Sequence, residues 1–222
     1  MIIVHHLNNS RSQRVLWLLE ELGVPYEVKR YERDSQTMRA PPSLRAVHPL
    51  GRSPIVEDSG EVLAESGAII EYLADTYGEG VLAPKPATPE RRRYNFFLHY
   101  AEGSLMPFLL MKLVFGELPK RSPMLIRPVA RAVSRGAQGG FIDPELKQHL
   151  DFLEGELGKS LWFAGQSFSA ADIQMSFPLE AAVGRAGLDA SRPRLTEWLN
   201  TIHARPAYKR ALDRGGPYDL PH

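Results

Sequence analysis

The spacing of apolar positions changes character along the chain. Ile2-Ile3-Val4 is a short β-branched run, Asn8-Asn9-Ser10 supplies polar loop and cap residues, and Val15, Leu18, Leu19 and Leu22 recur at i, i+3, i+4 and i+7 before Gly23. That sequence of patterns predicts a strand, a loop and an amphipathic helix. After Pro25, Tyr26-Glu27-Val28-Lys29-Arg30-Tyr31 alternates as a half-buried strand does, completing a right-handed βαβ unit. Ala40-Pro41-Pro42 and His48-Pro49-Leu50-Gly51 bracket at most a short helical turn, because proline donates no backbone hydrogen bond. Ile55-Val56-Glu57, a turn at Asp58-Ser59-Gly60 and Glu61-Val62-Leu63 predict a hairpin, and Ile69, Ile70, Leu73 and Tyr77 mark one face of a helix ending near Gly78.

A βαβ unit followed by ββα is the layout of a thioredoxin-like domain, expected over residues 1–80. Pro84-Lys85-Pro86-Ala87-Thr88-Pro89 is a linker-like stretch whose Thr88-Pro89 doubles as helix cap and first turn. Beyond it the strand patterns fade. Phe97, Leu98, Ala101, Leu105, Phe108 and Leu109 share one face of a long helix, which the segment from Pro119 to Pro123 is expected to break. A second helix should end at Gly136, Gly139 and Gly140, a third begin at Asp143-Pro144, a fourth at Ser169-Ala170-Ala171-Asp172, and a last one run from Pro193 to His203. Residues 88–222 therefore read as an all-helical bundle, and the whole as α/β plus all-α.

Composition narrows the function. Lys plus Arg number 27 against 26 for Asp plus Glu, so no global field favours nucleic acid or an anionic membrane. The opening residues lack the basic start and long apolar core of a signal peptide, and apolar runs elsewhere are cut by charges such as Lys112, so a cytoplasmic chain without an integral membrane segment is expected. The chain has no cysteine, which excludes a disulfide framework, a thiolate zinc site and any protein mixed disulfide. Any thiol chemistry must use a sulfur that the ligand brings.

Three places offer chemistry. Ser10 lies where the first helix starts, so free N–H groups, the helix dipole and a hydroxyl converge on a spot suited to an anion such as a thiolate, or else Ser10 simply caps the helix. Pro54 precedes a strand and leaves the backbone of Ser53 open to an extended peptide, or else merely initiates that strand. Glu65-Ser66-Gly67 sets a carboxylate beside a hydroxyl and free N–H groups, a pair that would hold a zwitterion or form an ordinary cap.

Taken together, Ser10-Arg11-Ser12-Gln13-Arg14-Val15, His48-Pro49-Leu50-Gly51-Arg52-Ser53-Pro54, Leu63-Ala64-Glu65-Ser66-Gly67-Ala68-Ile69 and Ser169-Ala170-Ala171-Asp172-Ile173 resemble glutathione transferase motifs. Ala40-Pro41-Pro42-Ser43-Leu44, Glu102-Gly103-Ser104-Leu105, Phe152-Leu153-Glu154-Gly155-Glu156 and Met175-Ser176-Phe177-Pro178-Leu179 resemble more narrowly the fungal GTT-type class and its bacterial relatives. The resemblance implies a homodimer that conjugates glutathione, as co-substrate and with no further cofactor, to an apolar electrophile. By it, Ser53 pairs its backbone with the cysteinyl part, Pro54 is cis, Glu65 and Ser66 hold the γ-glutamyl end, Arg52 lies beside the ligand backbone and Arg39 meets the glycyl carboxylate. Ser10 would contact the thiol, with Asn9 able to take that role after a one-residue shift; Tyr100, Leu105 and Leu109, beside Met106 and Met111, lie near the part of the long helix that would face the electrophile, although at helical spacing core packing is the more ordinary role for any one of them. Two alternatives share these residues: a glutathione-dependent peroxidase or isomerase, and a binding module without catalysis.

Other features read as structural. Neighbouring His5 and His6 point to opposite faces of a strand, so a metal is not expected. Arg91-Arg92-Arg93 and the i+4 series Arg127, Arg131 and Arg135 read as solvated faces, and Ser169 to Asp172 as a capping box whose loss costs stability first.

Overall fold

The β-branched start forms strand β1 (Ile2–Leu7), and the alternating segment after Pro25 forms β2 (Tyr26–Tyr31), parallel to it from Ile2 opposite Tyr26 to Leu7 opposite Tyr31. This computed structural model describes residues 1–220; the last two positions of the expected helical half, Pro221 and His222, lie outside the described residues. Strands β3 (Ile55–Asp58) and β4 (Glu61–Ala64) form the hairpin, and the sheet runs β2-β1-β3-β4 with β3 antiparallel to both neighbours. Ser59 (φ 52°) and Gly60 (φ 86°) turn the hairpin in the left-handed region that matches the twist of the flanking strands.

Helix α1 (Ser12–Leu22) joins β1 to β2, and Gly23 closes it at φ 65°. The spacing predicts one apolar face, yet every residue from Ser12 to Leu19 is buried. The reason is a second layer: Trp17 packs edge-on against Tyr208 at 5.1 Å and beside Phe168 at 5.6 Å, so the helix is covered by the sheet on one side and the helical half on the other. Helices α2 (Pro42–Val47) and α3 (Ser66–Tyr77) complete this half.

Past the proline-rich stretch, Thr88 accepts a hydrogen bond from the Arg91 N–H and starts α4 (Pro89–Tyr100). A π turn at Ala101–Leu105 carries it into α5 (Met106–Arg121). The break falls inside the expected segment from Pro119 to Pro123, with α5 ending at Arg121, although Pro119 itself lies within the helix. Its missing N–H frees the carbonyl of Phe115, and the Ser134 hydroxyl donates to that oxygen at 2.7 Å, while Ser122, extended before Pro123, ends the helix. Gly136, Gly139 and Gly140 do not stop the next helix either: none takes a positive φ, and α6 (Arg127–Ala137) passes through a π turn at Gln138–Ile142 into α7 (Asp143–Glu156). Asp143-Pro144 is thus a continuation rather than a start. Helices α8 (Ala170–Arg185), α9 (Pro193–Ala204) and α10 (Pro206–Gly215) close the bundle.

The expected capping box forms at α8 and does more than cap. Asp172, fully buried, accepts from the N–H and the hydroxyl of Ser169 at 3.0 Å each, from the Phe163 N–H at 3.0 Å and from the Trp198 indole at 3.4 Å, tying α8 to a loop and to α9. Burial pushes its carboxyl up to about 6 against the pull of those donors. Asp172→Asn is expected to cost about 2 kcal/mol, because the amide turns an N–H toward groups that themselves donate. Since the folded carboxyl titrates above its unfolded value, its contribution is fullest below the ordinary carboxylate range and is lost as pH rises through about 6. Urea unfolding of both proteins across that window should show the wild-type advantage shrinking with rising pH.

Candidate functional site

The start of α1 and the turn before β3 meet over a cleft of about 440 Å³, lined by Ser10, Asn9, Arg39, Arg52 and Ser53 among others. An adjoining lobe of about 290 Å³ shares Arg11, Leu50, Arg52 and Ser53 with it and continues to Pro54, Glu65 and Ser66. The segments at one end of all four strands therefore bring together Ser10, Asn9, Arg39, Arg52, Ser53, Pro54, Glu65 and Ser66 along one continuous groove.

Ser10 is buried, and its hydroxyl lies 2.8 Å from that of Ser12 and 3.3 Å from that of Ser53, while it accepts from the Ser12 N–H at 3.3 Å. Ser12 reaches the His6 ring at 2.9 Å. Burial and the nearby Arg30 push His6 down to about 4, so it stays neutral near pH 7. Ser53 donates its hydroxyl to the His5 carbonyl at 3.0 Å, and the Ser53–Pro54 peptide is cis. Asn9 sits at φ 48°, and its side-chain oxygen accepts from the Asp219 N–H at 2.8 Å, so it anchors the C-terminal segment as well as lining the cleft. His5 is held by Tyr31 at 2.8 Å and Glu57 at 2.7 Å.

At the other end of the groove, Glu65 is exposed at φ 73° and ψ 116°, a sparsely populated conformation that costs a residue with a Cβ about 1–3 kcal/mol. Glu65 lines the lobe. Ser66 is buried and accepts from Arg14, whose guanidinium is 1% exposed and also donates to the Glu102 carboxylate at 2.6 Å and the Gln174 carbonyl at 2.6 Å. Arg11 donates to both oxygens of Glu102 at 2.8 and 2.9 Å, and both arginines lie over the Phe177 ring. The two arginines hold the Glu102 carboxyl below its ordinary range despite burial. One acid from the helical half thus braces both ends of the groove.

Periodicity did not assign roles to Arg14, Glu102, Phe177, Arg33 or Arg45. An arginine among the apolar residues of α1, four positions after Ser10, is the one signal that points to Arg14. Arg33 and Arg45 line the larger cleft with Arg39 and Arg52, and among the described residues none of these four has a carboxylate partner. Gly51, at φ 56°, lets Arg45 lie across the loop, since a Cβ there would meet the arginine at 2.4 Å. This wall is cationic, suited to an anion.

Tyr100, Leu105 and Leu109 fall elsewhere. Leu105 and Leu109 have no exposed surface, and Tyr100 is buried against Phe97 and Phe152 with its hydroxyl bonded to His149. They belong to the core because the face of α4 and α5 that carries them packs on α8 and α7; the helical half reaches the groove through Phe177 and Glu102 instead.

The chain is similar to known proteins over nearly all its length. The glutathione S-transferase N-terminal domain family matches residues 1–75 and the glutathione S-transferase C-terminal domain family residues 142–206. Glutathione S-transferase 3 of Schizosaccharomyces pombe is 37% identical over 96% of this chain and 88% of its own. Glutathione S-transferase 1 of Saccharomyces cerevisiae is 34% identical over 96% and 95%. A crystal structure of a glutathione S-transferase from Actinobacillus pleuropneumoniae superposes with a TM-score of 0.83 at 32% identity, covering 97% of this chain and 93% of that one.

Proposed function

The chain belongs to the glutathione S-transferase family, and from that premise we propose that the groove between Ser10 and Ser66 binds glutathione and ionises its thiol for attack on an electrophile. The enzyme is a glutathione S-transferase. A thiol of pKa near 8.5 is mostly protonated at pH 7, and lowering it by ~2 units requires ~2.7 kcal/mol of preference for the thiolate. A hydroxyl donating to a charged acceptor supplies about 1.5–3 kcal/mol and a helix start about 0.3–1. Ser10 would do this at little cost, because the contact it exchanges for the sulfur is the long 3.3 Å one with Ser53.

In this reading the cysteinyl backbone pairs with Ser53 beside Pro54, the γ-glutamyl carboxylate takes Ser66 and the start of α3, its ammonium faces Glu65, and the glycyl carboxylate meets Arg39 with Arg52 alongside. The charge distribution of the tripeptide supports this orientation, since its lone glycyl carboxylate meets the arginine-lined wall and its only ammonium meets Glu65. Residues 1–80 supply the glutathione half and residues 88–222 the electrophile wall, to which Phe177 contributes its ring. A small apolar electrophile, a homodimer with its sites near the interface and a cytoplasmic setting complete the proposal; among the described residues no helix is long and apolar enough to cross a membrane.

The single observation that carries the proposal is the alignment of Ser10, Ser53 and Ser66 along one groove at helix and strand starts. Its test is the ultraviolet absorbance of bound thiolate as pH is raised. The bound thiol is expected to titrate about 2 units below the free value; an unshifted titration sinks the assignment.

A further inference from the structure

The corner between α5 and α6 carries a surface that the reaction leaves unused. Met124–Ile126 form a single 3₁₀ turn there, and all three side chains point outward, Leu125 at 94% and Met124 at 77% exposure. Val129 and Val133 continue the apolar surface along α6. Contiguous exposed apolar side chains of this size mark a surface that something covers.

The charge around this corner is one-sided. From Leu118 to Ile142 the chain has no acidic residue, yet it carries Lys120, Arg121, Arg127, Arg131 and Arg135. Glu117, one turn back on α5, pairs with Lys120 at 2.7 Å and Arg121 at 3.6 Å. Arg127 braces the turn by donating to the Ser122 carbonyl, and Arg131 and Arg135 are exposed, with no carboxylate partner among the described residues. A chain with a formal charge of only +1 thus concentrates a local excess of cations around its most exposed apolar turn.

We infer that this corner docks on an anionic lipid surface, the Met124-Leu125-Ile126 turn entering the interface while the surrounding arginines meet the head groups. Apolar wedges ringed by cations bind such surfaces through buried area plus attraction to anionic lipid, without any spanning helix. A second copy of the chain docking through this same corner is a poor occupant. A two-fold contact corner to corner would set the same cations against each other.

The test uses the full chain with phosphatidylcholine vesicles, with and without phosphatidylserine, in a sedimentation assay. Binding is expected to the anionic vesicles alone, to weaken as salt screens the charges, and to fall about tenfold or more in Leu125→Asp. Arg131→Gln is expected to weaken binding and flatten its salt dependence. Both substitutions fall on exposed side chains, so melting curves should match the wild type. Three outcomes overturn the inference: no sedimentation with anionic vesicles at low salt, equal binding by Leu125→Asp, or light scattering without lipid that shows larger assemblies only when Leu125 is intact.

Discussion

Arg14→Met is expected to destabilise the protein by about 3 kcal/mol, and to raise the KM for glutathione while leaving kcat nearly unchanged. The side chain is 1% exposed and donates at once to Ser66 on α3, Glu102 in the π turn after α4 and the Gln174 carbonyl on α8. Methionine fills much of the volume but removes three donors. Glu102 keeps Arg11, which holds the cost at the low end for a broken buried ion pair. For a chain of this length each kcal/mol lowers Tm by about 2–4 °C, so a drop of roughly 10 °C should be seen by calorimetry. Ser66 loses its brace at the same time, which is why substrate binding suffers together with stability. Arg14→Lys separates charge from geometry: an ammonium keeps the ion pair but lacks the planar fork, and an intermediate Tm is expected. Equal Tm for all three proteins would show that the network contributes nothing.

That network shows how far local pattern reaches. The strands and α1 follow from period and turn chemistry, because Gly23 and Gly60 take left-handed conformations and the hairpin turn falls at Ser59-Gly60 as read from the chain. The groove residues at element starts were equally legible, since Ser10 just precedes α1 and Ser66 opens α3 whatever packs behind them. Arg14 was not, because its partners lie 52, 88 and 160 positions away. Periodicity identifies the face of the π turn and α5 that carries Leu105 and Leu109 without telling which neighbour it meets; that neighbour is the core, and the side chain that reaches the groove is Phe177 on α8. Glycine misled for a related reason. Gly136, Gly139 and Gly140 permit a helix stop but do not impose one, and α6 to α7 runs on through a π turn.

Ser10→Ala is expected to lower kcat/KM at neutral pH by roughly 10–100-fold and to return the bound thiol toward the free pKa near 8.5, a rise of about 1–2 units. The loss should be pH-dependent in a definite direction. Below the wild-type thiol pKa both proteins hold little thiolate and differ by a constant factor; as pH rises past 8.5 the thiol ionises without help and the difference shrinks. His6, at the inner end of the Ser10–Ser12 chain, is held down to about 4, so a titration between pH 5 and 8 reports the sulfur rather than the imidazole. Asn9→Ala is the matched control. Alanine at φ 48° costs about 1–2 kcal/mol, and the lost acceptor releases the Asp219 N–H, so stability should fall while the thiol pKa stays. The reverse result, an unmoved thiol in Ser10→Ala and a raised one in Asn9→Ala, would transfer the donor role to the asparagine amide. The Ser12 N–H now bonded to the Ser10 oxygen would be left free in the alanine protein, and its partial charge at the helix start accounts for the activity expected to remain.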